Sequence, residues 1–184
     1  MKKIGVFMAE GCEEIEALTV VDMLRRAGIE VAMISVSGKK EVKGSHNITF
    51  LTDIPAEYMD FDVLDGVVLP GGMPGTINLK ESEIVQKIIH QFAAENKLVS
   101  AICAAPSVLG EAGLLKEKKA TSYPGFEDKL IGASVVTDAV AVDGNIITSR
   151  SMGTAIPFSL EIIRFLLGDE AVAKLSDSIV FEYC

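Results

Sequence analysis

Apolar and polar positions along the chain alternate between two periods. "KKIGVFMA" at the start is a short, nearly continuous apolar run, the pattern of a strand covered on both faces. "GCEEIEALTVVDMLRRAG" then shows helical spacing, with Gly28 as its stop, acids in its first turn and arginines in its last. "IEVAMISVSG" and "DVLDGVVLPGG" read as the second and third strands. From Glu81 to Glu95 the apolar positions fall at 84, 85, 88, 89, 92 and 93, which predicts a long amphipathic helix. "KLVSAIC" is a fourth strand and "APSVLGEAGLL" its helix. Beyond it, "KATSYPGFEDKL" holds a short strand and a turn. "SVVTDAVAVDGNIITSR" reads as a hairpin turning at Asp-Gly-Asn, and "TAIPFSLEIIRFLLGDEAVAKL" supplies the closing helix or helices.

Strands that alternate with helices predict an α/β domain with a mostly parallel central sheet and helices on both faces. No repeat, linker or low-complexity tract interrupts residues 1–184, so a single domain is expected. In open sheets of this kind ligands gather beyond the carboxyl ends of the strands. Three segments fall there: "AEGCEEIE", "PGGMPG" and "CAAP".

Composition narrows the partners. The 184 residues are 49% hydrophobic and 23% charged, as in a folded globular chain. The net charge of −9, with no offsetting basic cluster, argues against nucleic acid. "KEKK" at 116–119, between a helix and a strand, reads as a solvated turn. No apolar run approaches the ~20 residues that span a bilayer, so no membrane partner is expected. The run Ile4 to Ala9 is too short for a secretory signal, and three cysteines without a CxxC pair suit a reducing compartment; a cytoplasmic location follows as the expectation.

Candidate chemistry centres on Cys103. It ends an apolar strand and is followed by Ala104, Ala105 and Pro106, with the proline suited to the first turn of a helix. A cysteine nucleophile elbow of this kind lets nearby N–H groups hold a thiolate or an oxyanion. The glycines of the Gly-x-nucleophile-x-Gly form are replaced by Ala101 and Ala105, and an inert buried cysteine fits the same pattern. Glu16 shares a helical stripe with Val20, Met23 and Ala27. There an acid is either an ordinary first-turn residue or a carboxyl whose pKa rises beside the sulfur. Glu13 and Glu14, by contrast, simply decorate a helix start. "LPGGMPG" brings Gly71, Gly72 and Gly75, either as a plain turn or as a turn that leaves the N–H of Gly72 facing a ligand; it is neither a Walker A loop nor GxGxxG.

His46 and His90 lie away from strand ends, and with cysteines at 12, 103 and 184 no metal site is expected. Cys12 is expected near the rim of Cys103 as a minor oxidation site, and Cys184 as a mobile terminal thiol. Arg150, after "IITS", is either an anion holder or a surface cation.

The segments "EGCEEIEALTVVDMLRRAGIEV", "DVLDGVVLPGGMPG", "LVSAICAAPSVL" and "IITSRSMGTAIPFSLEII", in this order and spacing, resemble the ThiJ/PfpI family, and within it the Parkinsonism-associated deglycase branch and its bacterial relatives. The resemblance covers nearly the whole chain. It implies a flavodoxin-like three-layer sandwich, a homodimer formed through a face that includes the first helix, and no cofactor. It also implies that Cys103 is the reactive cysteine, that Glu16 is its protonated partner, and that Gly72 and Ala104 are the backbone donors. Gly71, Tyr123, Arg150 and His46 would lie around the pocket. Two departures stand out: Tyr123-Pro124 replaces a family His-Pro pair, and "TSRSMGT" replaces "TSRGPGT". His46 stands where a relative carries an arginine that reaches the neighbouring subunit's pocket. An ordinary phenol is a poor base at neutral pH. The implied activity is cofactor-independent, cysteine-dependent glyoxalase or deglycase chemistry on a small 2-oxoaldehyde or its glycated adduct. The alternative is a redox-sensing, protective protein that oxidises Cys103 to sulfinate, with chaperone activity. Proteolysis would need a base beside the cysteine.

Overall fold

The structure is a computed structural model describing residues 1–182. Cys184 therefore lies outside the described residues. In chain order the elements are β1 (Lys3–Met8), α1 (Glu14–Arg26), β2 (Glu30–Ser35), β3 (Glu41–Lys43), β4 (Thr49–Leu51), β5 (Ile54–Pro55), β6 (Gly66–Leu69), α2 (Gly75–Glu81), α3 (Glu83–Ala94), β7 (Leu98–Ile102), α4 (Pro106–Glu111), β8 (Lys119–Ala120), β9 (Ser134–Val135), β10 (Val140–Asp143), β11 (Ile146–Ser149), α5 (Ala155–Leu167) and α6 (Asp169–Ser178).

The main sheet has seven strands in the order β10-β11-β7-β6-β1-β2-β5. All its pairings are parallel except β10 with β11, the expected hairpin, where Val140 faces Ser149 and Asp143 faces Ile146. The period-2 alternation of each strand feeds two separate cores. Ile4, Val6 and Met8 of β1 pack with Val20 and Leu24 of α1 and Phe158 and Ile162 of α5. Phe7, on the opposite face, packs with Leu79 of α2, Ile89 and Phe92 of α3 and Leu109 of α4. Both faces of the central strands are thus dry, which explains their unbroken apolar runs. This α/β layering is the expected flavodoxin-like arrangement.

Three features were not legible in the pattern. The expected helix from Glu81 to Glu95 is present as α3, but a further helix, α2, precedes it. Ser82 separates the two by leaving helical geometry (φ −73°, ψ 113°), and its side chain accepts from the N–H of Val85 at 3.4 Å, capping α3. The closing apolar segment is also split, at Gly168, where φ is +86°. β3 and β4 form a small antiparallel hairpin outside the main sheet, and β8 and β9 pair in parallel as a separate two-stranded sheet. Among the described residues no helix is long and apolar enough to cross a membrane.

From β1 the chain passes to β2 on one side, and from β6 to β7 on the other. The boundary between the adjacent strands β1 and β6 is therefore a topological switch point. The turn into α1, the Gly71-Gly72 loop and Cys103 all leave carboxyl ends of strands at this edge.

Candidate active site

β7 ends at Ile102, and the next residue turns sharply. Cys103 has φ +66°, a left-handed conformation rare for a residue with a β-carbon. Two hydrogen bonds hold it there: its N–H donates to Ser149 O at 3.0 Å, and Tyr123 N–H donates to its carbonyl at 2.7 Å. Strain of this kind costs on the order of 1–3 kcal/mol and persists only where the surroundings impose it. The half-buried side chain faces the N–H groups of Ala104 and Gly72, both of which act to stabilise a negative sulfur. α4 has only six residues, so these individual N–H groups, rather than a long helix dipole, supply the electrostatics.

Glu16 comes from the first turn of α1 and is 1% exposed. Its Oε2 accepts the N–H of Gly71 at 3.0 Å, and the N–H of Met152 also bonds to the carboxyl. Its third partner is the Cys103 sulfur. Burial pushes Glu16 up to about 7, against the pull of these three hydrogen bonds. Burial, and then the Glu16 charge and its hydrogen bond, push Cys103 up to about 12. Between about 7 and about 12 the two groups share one proton, so the titration belongs to the pair. With the proton on sulfur, the thiol donates to the carboxylate. With it on oxygen, the carboxyl donates to a thiolate that the N–H groups of Ala104 and Gly72 also hold.

Both glycines of the loop are required by close approach. A β-carbon on Gly71 would lie 2.6 Å from Cys103 Cβ and 2.6 Å from Glu16 Oε2. Gly72 has φ +90°, and a β-carbon there would lie 2.3 Å from the Glu13 nitrogen. Glu13 N–H donates to Gly71 O at 2.9 Å, stitching the loop to the start of α1.

The structure thus brings Cys103, Glu16, Gly71, Gly72 and Ala104 together. Tyr123 joins them by its backbone; the residue is 44% exposed and its ring meets Phe126 edge-on. The Arg150 side chain turns to Thr137: its Nη1 donates to Thr137 O at 3.0 Å, bracing the segment before β10. His46 lies in the turn between β3 and β4, exposed, with Nδ1 3.1 Å from carboxylate oxygens of both Glu13 and Glu14. These acids raise its pKa, the hydrogen bond it donates to Glu14 first.

Glu14 corrects the expectation of a decorative acid. It is 2% exposed, and Oε1 accepts the N–H groups of His46 at 2.8 Å and Ile48 at 3.3 Å. Burial would raise its pKa, but the N–H groups of Glu14 itself, His46 and Ile48, with the His46 ring, outweigh that and hold it below the carboxylate norm. The signal was present: Glu14, Ala17, Val21 and Leu24 form a helical stripe like that of Glu16, and all four are buried. Glu13, Glu14 and His46 are also the grouping of metal-type donors found among the described residues, but the Glu14 carboxylate is already filled by the loop it anchors. Cys12 is a second correction. Its backbone lies against the Gly72 loop, near the site as expected, but its side chain has no exposed surface. Burial followed by the Glu14 charge pushes the thiol up to about 12, so it is a core residue rather than an exposed oxidation site. Met152, whose N–H serves Glu16, carried no signal in the sequence.

Residues 2–165 match the DJ-1/PfpI family. Protein dj-1beta of Drosophila melanogaster is 39% identical over 184 residues, covering 99% of this chain and 98% of that protein. A deglycase of Pyrococcus abyssi is 32% identical, covering 89% of this chain and 99% of its own. Protein DJ-1 homolog B of Arabidopsis thaliana is 38% identical over 97% of this chain, which spans only 41% of that longer protein. Among solved structures, oxidized DJ-1 of Toxoplasma gondii superposes with a TM-score of 0.96 at 34% identity, covering all of both chains.

Proposed function

The chain belongs to the DJ-1/PfpI family, and from that premise we propose that it is a cofactor-independent, cysteine-dependent enzyme of glyoxalase or deglycase type. Its substrates are small 2-oxoaldehydes or their early glycation adducts. The carrying observation is the Cys103–Glu16 pair: a sulfur on a strained elbow, sharing a proton with a carboxyl of raised pKa. The relative from Pyrococcus abyssi that bears the name deglycase supports this choice.

With methylglyoxal, the Cys103 thiolate adds to the aldehyde carbon and forms a hemithioacetal. The N–H groups of Gly72 and Ala104 hold the resulting oxyanion. Glu16, having supplied a proton to that oxygen, removes the hydrogen on C1 and the adduct becomes an enediol. Reprotonation at C2 gives a thioester, and water releases lactate and the free thiol. C1 is oxidised as C2 is reduced, so the net reaction consumes one water and needs no external oxidant. A carboxyl poised at about 7 suits both proton transfers.

The proposal extends to a single domain acting as a homodimer. Ile15 and Ile48, both about half exposed, stand on α1 and the adjoining turn and offer an apolar face to a second copy. His46 and Tyr123 would border the pocket, whereas Arg150 would act at a distance through its charge.

A second reading follows from Tyr123, which leaves the elbow without an imidazole. Cys103 would then act as a redox sensor. One peroxide takes the thiol to sulfenic acid and water, and a second takes that to sulfinate and water, with the oxygens held by Glu16 and the same N–H groups. Wild type and Cys103→Ser are compared for methylglyoxal loss and lactate formation, then for intact mass after mild peroxide. Lactate that depends on Cys103 supports the enzyme. Absence of turnover, with two oxygens added at Cys103 alone, supports the sensor and sinks the enzyme.

A further inference from the structure

A cleft of about 300 Å³ opens between α2, α4 and the segment that follows Tyr123. Two of its lining residues, Met73 and Phe126, neighbour residues of the reactive centre. Met73 follows Gly72, whose N–H faces the Cys103 sulfur, and Phe126 rests against Tyr123, whose N–H is bonded to the Cys103 carbonyl. A free 2-oxoaldehyde would occupy only a small part of this space.

The lining defines a ligand. Met73 and Ile77 expose nearly half their surface, and with Phe126 they make an apolar wall. Lys129 stands over the Phe126 ring, 5.4 Å from its centroid, and makes no ion pair among the described residues. Lys80, in contrast, is neutralised by Glu111 at 2.6 Å. Thr76 lines the cleft, is 3% exposed, and its hydroxyl has no hydrogen-bond partner. An apolar side group, an anion for Lys129 and a carbonyl acceptor for Thr76 together describe an apolar amino acid with a free carboxylate, joined through its nitrogen to the carbon that meets the sulfur.

We propose that this cleft is a side-group subsite of Cys103 that holds the amino-acid part of such an N-linked substrate. The inference rests on Cys103 being the reactive thiol of the proposed function, but it does not require turnover. The test uses two alkylating probes, bromoacetamide and N-bromoacetyl-phenylalanine, with Cys103 modification followed by intact mass and peptide mapping. The expected result is saturable labelling by the phenylalanine reagent, roughly tenfold faster than by bromoacetamide at equal low concentration. The exposed variants Ile77→Asp and Lys129→Glu should abolish saturation and remove that advantage, while their bromoacetamide rates and thermal melts stay at wild-type values. Equal, non-saturating rates for the two probes in wild type would overturn the subsite and leave the reactive thiol standing. Failure of bromoacetamide itself to modify Cys103 would instead overturn the reactive thiol. Saturation that survives in both variants would also overturn the assignment, because the amino-acid group would then be held elsewhere.

Discussion

At Cys103 the same enclosure that strains the backbone also governs the proton. Burial and the Glu16 charge oppose a second ionisation, while the N–H groups of Ala104 and Gly72 favour the first one falling on sulfur. Reactivity should therefore follow the loss of one proton from the pair rather than an isolated thiol. The rate of Cys103 alkylation is expected to rise through an inflection near 7 and then level off, because the next proton leaves only near 12. Glu16→Gln removes the acid that sets the lower step. That variant should lose the inflection near 7 and react at least about tenfold more slowly at neutral pH, the factor carried by each pKa unit. An unchanged profile in iodoacetamide kinetics would exclude Glu16 as the proton partner.

At the scale of elements, α1 presents two buried carboxylates from adjacent stripes of its first turns, and they do different work. Glu16 points toward the β6–α2 loop and the sulfur, whereas Glu14 anchors the turn between β3 and β4. Replacing Glu14 by alanine would leave the N–H groups of His46 and Ile48 without their acceptor. The expected loss is about 1 kcal/mol in urea unfolding, because these hydrogen bonds are part-buried and water can reach the freed N–H groups in part. Amide exchange at His46 and Ile48 should accelerate, while the alkylation profile of Cys103 keeps its inflection near 7. Loss of that inflection would mean that Glu14 also controls the sulfur.

For the whole molecule, the two carboxylates give opposite linkage to pH. Glu16 has a folded pKa of about 7 against an ordinary 4.5, so the folded state binds more proton between these values. Its stabilising contribution is complete below the ordinary value and is lost as pH rises through about 7. Glu14, held below its ordinary value, contributes stability at higher pH and loses it on acidification. The unfolding free energy of wild type minus that of Glu16→Gln should decline between pH 4.5 and 7, by up to about 1.4 kcal/mol per pH unit, and stay level above that window. Chemical denaturation across the range measures this difference, and a rising or flat difference would contradict the buried carboxyl.

By itself, the sequence determined the layers. Unbroken apolar strands and one-sided helices admit few arrangements other than a parallel sheet covered on both faces, and strand ends then mark the reactive edge. Cys103 and Glu16 were legible because each breaks a local rule, a thiol at a strand end and an acid on an apolar stripe. The buried role of Glu14 was missed although its stripe is equally apolar, because its partners are backbone N–H groups more than thirty residues away. Arg150 ends the expected strand but turns to Thr137, a choice made by the segment that packs beside it. Met152 contributes only a backbone N–H, which no side-chain pattern records. Tertiary structure alone decided these contacts, since periodicity encodes which face of an element is buried, whereas long-range packing sets which groups meet across the buried space.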